Sequence, residues 1–233
     1  MRTGGLIVAI DGPAGAGKST VARELARRLG YIYVDTGAMY RVVGLVARER
    51  GIASDDGPRL GGVAAGVEIR FEGRPEGRQS VFADGRDVTA AIREQQIGEW
   101  ASKVSTQSEV RTRMVAAQRR IAEQGGAVLE GRDIGTVVFP DADLKFYLDA
   151  SAHERAERRY RELRSRGEAA ALDEIVAEIE ERDRRDQSRA HSPLRPAPDA
   201  VVLDTTRRSA EEVLAMLLER CRERLANPEP QKP

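Results

Sequence analysis

Cysteine is nearly absent: Cys221 stands alone among 233 residues, so no intrachain disulfide can form, and the chain reads as one from a reducing compartment. Aromatic residues make up only 4% against 40% apolar overall, enough for one aliphatic α/β core with small excursions from it. Net charge is missing too. Thirty-eight basic residues balance thirty-eight acidic ones, which argues against a generic nucleic-acid or membrane surface, since both need a net positive face. Any anion must therefore be bound by local clusters. No apolar run approaches the length of a membrane span, and the opening Met1-Arg2-Thr3-Gly4-Gly5 leads into a strand and not a signal peptide, so a cytoplasmic protein is expected. Lysine is confined to Lys18, Lys103, Lys145 and Lys232, and asparagine to Asn227. That bias fits either a hot or a GC-rich source.

What is present is concentrated in residues 6–20. Leu6 to Ile10 is a continuous apolar run of the kind buried on both faces of a parallel sheet. Gly12-Pro13-Ala14-Gly15-Ala16-Gly17-Lys18-Ser19 then fits G-x-x-x-x-G-K-[ST], and a helix begins at the lysine. Glycines let the backbone curl so that successive N–H groups face phosphate oxygens, and the helix N-terminus adds its positive end. Lys18 is expected to reach the β- and γ-phosphates, and the Ser19 hydroxyl to ligate the bridging magnesium. A nucleoside triphosphate with Mg2+ is the expected ligand, held by residues 12–20, Thr20 included.

Residues 20–29 put Val21, Leu25 and Leu29 on one helix face, and Gly30 ends it. Residues 31–34 read as a second short buried strand, and Asp35-Thr36-Gly37 opens a helix with Met39, Val42, Val43 and Val46 inward. This βαβα order predicts a parallel sheet with its ligands beyond the carboxyl ends of the strands, which would bring Asp35, Thr36 and Arg41 beside the phosphate loop. A solvated helix arginine is the other reading of Arg41. Residues 51–66 shift to Gly, Asp, Ala and Pro. Residues 67–71 and 79–83 then alternate as an antiparallel hairpin around a glycine-rich connection at 72–78. Thr89 is expected to cap the next helix, and Thr106 with Glu109 to form a capping box before a helix over 108–123, with Val110, Met114 and Ile121 inward. Ser102 and Arg111 lie near the junction of these helices.

Residues 127–130 form a third parallel strand running into Gly131-Arg132-Asp133-Ile134-Gly135, where charges between glycines make poor core and good site chemistry. Glu130 stands where such folds carry a carboxylate that orders magnesium. Residues 144–148 and 200–203 supply the fourth and fifth strands. Between them, residues 153–167 form a helix carrying Arg155, Arg158, Arg159, Arg161, Arg164 and Arg166. It is either an exposed, salt-bridged helix or a lid that brings arginine to the γ-phosphate. The next helix has an inward stripe of Leu172, Ile175, Val176 and Ile179, which the same spacing continues into Arg182, Asp186 and Arg189. Those charges must pair with one another or meet a polar ligand. His153 and His191 read as surface residues with no cysteine or carboxylate at ligand spacing, Pro193, Pro196 and Pro198 mark a loop, Val213, Leu217 and Leu225 lie on a closing helix, and residues 227–233 read as a disordered tail.

Taken together, the phosphate loop, Asp35-Thr36-Gly37-Ala38-Met39-Tyr40-Arg41, Glu130-Gly131-Arg132-Asp133-Ile134-Gly135-Thr136-Val137 and Glu181-Arg182-Asp183-Arg184-Arg185-Asp186 resemble the bacterial cytidylate kinases, within the nucleoside monophosphate kinases. The resemblance runs from residue 6 to about 204. It implies that Ser102, Arg111 and Asp133 hold cytosine, that Arg41, Arg132 and Arg189 hold the acceptor phosphate, and that Arg182 and Asp186 reach the sugar. Thr36 keeps the hydroxyl of the serine found in many relatives, and Glu130 keeps the carboxylate of an aspartate. The expected fold is a P-loop α/β domain over residues 1–226, with a parallel five-stranded sheet, helices on both faces, an inserted antiparallel hairpin (62–98) and an Arg-rich helical lid (151–168). The expected activity is phosphoryl transfer from ATP·Mg to CMP or dCMP by a monomer, with Lys18, Arg132, Arg182, Arg158 and Arg159 acting on the transferred group and Ser19 and Glu130 on the metal. A kinase for another small phosphorylated acceptor is one alternative, and a regulatory P-loop switch another; the switch would lack an N-K-x-D guanine reader, there being no asparagine before Asn227.

Overall fold

The structure is a computed structural model that describes residues 2–227 except 74–78, 166 and 190. Most of the glycine-rich connection, Arg166 and the tail after Asn227 lie outside the described residues. The element order is β1 (Ile7–Asp11), α1 (Lys18–Leu29), β2 (Ile32–Asp35), α2 (Thr36–Glu49), α3 (Gly57–Gly66), β3 (Ile69–Gly73), β4 (Gln79–Ala83), β5 (Arg86–Asp87), α4 (Gln95–Val104), α5 (Ser108–Ile121), β6 (Ala127–Gly131), β7 (Leu144–Asp149), α6 (Ala152–Ser165), α7 (Leu172–Gln187), β8 (Val201–Asp204) and α8 (Ala210–Ala226). The chain divides into two compact units, one of residues up to Tyr33 and from Gln124 onward, the other Val34–Glu123. No helix among the described residues is long and apolar enough to cross a membrane.

The first unit is built on a five-stranded parallel sheet in the order β2-β6-β1-β7-β8. Its strands are the apolar segments read from the sequence, with Lys145 inside β7, but β2 is an edge strand and Ile32 is 46% exposed, so the second strand is only partly buried. Leu6, Val8 and Ile10 pack with Val128, Phe146 and Leu148 against Val21 and Leu25 of α1 and Leu214, Leu217 and Cys221 of α8. The alternate residues Ile7, Ala9 and Leu129 are equally buried, so both faces of the sheet are covered. Leu225, farther along α8, is 39% exposed, because the buried face of α8 ends at Cys221. Register levels the strand ends: Asp11 lies opposite Gly131 on β6 and Tyr147 on β7. Helices α6 and α7 share a small core of their own, formed by Ala156, Leu163, Ile175 and Ile179.

In the second unit Asp35 caps α2 by accepting from the Ala38 N–H at 2.9 Å, and Met39, Val42, Val43 and Val46 are buried as expected. Trp100, the only tryptophan, sits half-buried on α4 against Gly44 of α2, where an added Cβ would come within 3.1 Å of its own. Four expectations change here. The composition shift at 51–66 contains a helix, α3, begun by an Asp56 cap with proline in its first turn. The hairpin gains a third strand and becomes the sheet β3-β4-β5. Thr89 caps no helix; its hydroxyl accepts from Val81 N–H of β4 at 2.9 Å. No capping box forms at Thr106 and Glu109 either, since the Thr106 hydroxyl donates backward to the Lys103 carbonyl at 2.7 Å and Ser108 takes up Glu109.

Candidate active site

The loop from Gly12 to Gly17 joins the buried end of β1 to the first turn of α1. Gly12 has φ +145°, and a Cβ there would lie 2.0 Å from the Leu148 carbonyl oxygen, so no other residue fits that turn. Lys18 folds back over the loop and donates to the Pro13 carbonyl at 2.6 Å. Only 6% exposed, it has its pKa lowered to about 7, chiefly by burial and then by Arg132, with Arg182 adding to the effect and Glu130 and Asp11 opposing it. An amine so placed gains its proton when an anion arrives.

The end of β6 meets the loop from the side. Glu130 accepts from the Ser19 hydroxyl at 2.9 Å with one oxygen and from the Tyr33 hydroxyl with the other. Two residues on, Arg132 turns the other way and donates from Nε to Asp186 at 3.0 Å. Asp186, 1% exposed on α7, also accepts from Arg189. Burial works to raise its pKa, but Arg132, Arg189 and Arg182 outweigh burial and hold the carboxyl below its usual range. Arg132 and Arg189 pair with Asp186 and Arg182 acts on it through its charge, an arginine-rich cluster around one carboxylate. Asp133 is buried at the start of a π turn over Ile134–Val138.

The arginines of the α6 helix point in different directions. Arg159 pairs with Glu162 at 2.9 Å, and Arg161 lies along Glu154 and Glu157, as on a solvated face. Arg158 turns inward: it bonds the Thr205 carbonyl at 2.6 Å, and Thr205 reaches the Ala16 carbonyl of the loop at 3.3 Å. In the second unit, Thr36 is buried in the first turn of α2, and Arg41 donates to the Ile92 carbonyl at 2.8 Å beside Gly98. Ser102 and Arg111 are buried at the α4–α5 junction, where Arg111 donates to the Ser105 carbonyl at 3.4 Å and Ser105 to that of Ser102 at 3.0 Å.

The family model described as cytidylate kinase matches residues 8–223. The chain belongs to the cytidylate kinase family. A relative named cytidylate kinase from Geobacter sp. (strain M21) is 51% identical over 226 residues, 97% of this chain and 97% of its own. Another, from Geobacter sulfurreducens, is 53% identical over 220 residues, 94% of each chain. A solved structure of an uncharacterized protein from Eubacterium ventriosum superposes with a TM-score of 0.50 at 11% identity, covering 94% of this chain and 99% of that one, a likeness of fold alone.

Beyond the residues expected of a cytidylate kinase, the structure adds three. Arg155, 4% exposed, donates to the carbonyls of Ala150 at 2.9 Å and Ala14 at 3.1 Å and pairs with Asp183 of α7. It joins the loop to both helices of the α6–α7 pair. Asp183 lies inside the Glu181–Asp186 motif, and that nearness was its only signal. Tyr33 fills a strand position that reads as core, and nothing in the sequence marks its hydroxyl as a partner of Glu130. His153, read without a carboxylate neighbour, has Glu157 one turn away at 3.3 Å; both remain largely exposed.

Proposed function

We infer that this chain transfers the γ-phosphoryl group of ATP to CMP or dCMP, giving ADP and CDP or dCDP. The observation that carries the reading is the end of β6, where Glu130 sits on the phosphate loop's serine and Arg132, two residues later, on the Asp186–Arg189 cluster. One strand thus serves both a donor and an acceptor anion. The relatives' name supplies the acceptor's base.

Ser19 and Glu130 offer hydroxyl and carboxylate oxygens, the donor set magnesium prefers, and would hold the ion. Bound there, Mg2+ would neutralise charge on the β- and γ-phosphates. Lys18 and the loop N–H groups hold the donor, while Arg41, Arg132 and Arg189 offset the charge of the acceptor phosphate so that two polyanions can approach in line. No general base is required, because the attacking phosphate oxygen is already anionic. Arg182 and Asp186 would reach the sugar, and Ser102, Arg111 and Asp133 the cytosine, whose amino group a carboxylate can accept from while uracil's carbonyl repels it. Helix α6 would act as the lid, with Arg158 and Arg159 bringing positive charge to the transferred group on closure. The enzyme is proposed to work as a cytoplasmic monomer.

A coupled assay with the four nucleoside monophosphates tests this. Turnover should be fast with CMP and dCMP, slower with UMP and absent with ATP alone. Preference for another acceptor, or hydrolysis without one, would overturn the reading.

A further inference from the structure

We propose that Asp11 is a positioning residue for the acceptor nucleotide, its carboxylate clamping the turn that carries Arg132 and Asp133. The proposal rests on the reading that Asp133 contacts cytosine. By sequence Asp11 belongs to the donor side, one residue before the phosphate loop. Its bonds point elsewhere. One carboxylate oxygen accepts from the Ile134 N–H at 2.8 Å and the other from the Gly135 N–H at 2.8 Å.

Those two amides open the π turn that follows Asp133, and the first N–H groups of any helical turn have no partner within it. The turn's own bonds run from Val138 to the Asp133 carbonyl at 3.2 Å and from Phe139 to the Ile134 carbonyl at 2.7 Å. Asp11 therefore caps a turn that comes from a different strand, and it does so from the rigid, fully paired middle of the sheet. An added Cβ at Gly135 would lie 3.5 Å from an Asp11 oxygen and 3.1 Å from Lys145, so the turn is packed down onto its clamp. The arrangement is costly, since burial pushes the Asp11 carboxyl up to about 6 and Asp133 adds like-charge repulsion. A residue kept only to fill space would not need to be charged there. Two backbone donors meeting two acceptor oxygens do need it.

The test is Asp11→Asn, in which one oxygen remains and an NH2 group faces the second amide. The CMP-to-UMP ratio in kcat/KM should fall about tenfold, the scale of one good base contact, with KM for CMP raised and KM for ATP little changed. A role confined to stability would lower the melting temperature and leave the ratio alone, and that outcome overturns the proposal. Asp133→Asn, run beside it, isolates the premise: if that variant keeps the wild-type ratio, the base reading is wrong, whereas loss there with retention in Asp11→Asn condemns only the clamp. Should Asp11→Asn fail to fold, amide exchange in the wild type decides. The Ile134 and Gly135 amides should exchange as slowly as those of β1; exchange at open-loop rates would end the proposal.

Discussion

At Lys18 two demands conflict. The loop needs a cation to meet phosphate, yet burial and the nearby Arg132 bring its pKa down to about 7. In the free enzyme kcat/KM for ATP should fall as pH rises past about 7, while kcat, which reports the complex with nucleotide, stays level there. Parallel decline of both would show that bound phosphate does not restore the ammonium. Stability runs the other way. From about 7 up to the ordinary lysine value the unfolded chain binds more protons, so this residue's contribution grows as pH rises. Asp11, raised to about 6 mainly by burial, gives a contribution present below the ordinary aspartate value and lost as pH climbs through about 6. Lys18→Met should therefore abolish transfer and melt higher than wild type when both are nucleotide-free below pH about 7. A lower melting temperature would mean that the bond to Pro13 outweighs the cost of the buried charge.

At the level of elements, the pair α6–α7 is tied to the phosphate loop by one arginine. Arg155→Ala leaves Asp183 and the carbonyls of Ala14 and Ala150 without their donor, and should cost about 3 kcal/mol of unfolding free energy. The double variant with Asp183→Ala should recover part of that loss in a denaturation cycle; simple additivity would show the pair to be idle. Amide exchange over Ala152–Ser165 should slow when ATP and CMP analogues are added together, and unchanged exchange would mark α6 as permanently docked. The five parallel strands could be read in advance because each is a short, strongly apolar segment, Lys145 being the one charge within the apolar part of β7. Helix α3 could not, because Gly-Pro-Arg-Leu-Gly-Gly-Val-Ala-Ala-Gly has low helix propensity and is held by packing: a Cβ at Gly61 would meet that of Glu109 on α5 at 2.7 Å. Strand β5 has two residues, too few for any periodicity. Nor could the five arginines of α6 disclose that Arg155 is the buried one, since burial depends on what lies opposite.

Across the whole molecule, acids and bases cancel in number while arginine gathers around Asp186 and along α6, so positive charge is concentrated locally without any net charge. Among the candidate site residues, Glu130, Arg132 and Asp133 stood out because charge at a strand end or between glycines contradicts local propensity, and Arg182 and Asp186 because they continue an apolar stripe; Tyr33 and Arg155 sit in segments whose composition is ordinary for their elements. One feature of the second unit also governs how the protein can be watched. The only tryptophan, Trp100, sits half-buried on α4 with its Cβ against Gly44 of α2, so tryptophan emission reports the melting of Val34–Glu123 and is blind to the sheet that carries the phosphate loop. Circular dichroism sees both units, and only the two signals read together would reveal whether they unfold as one.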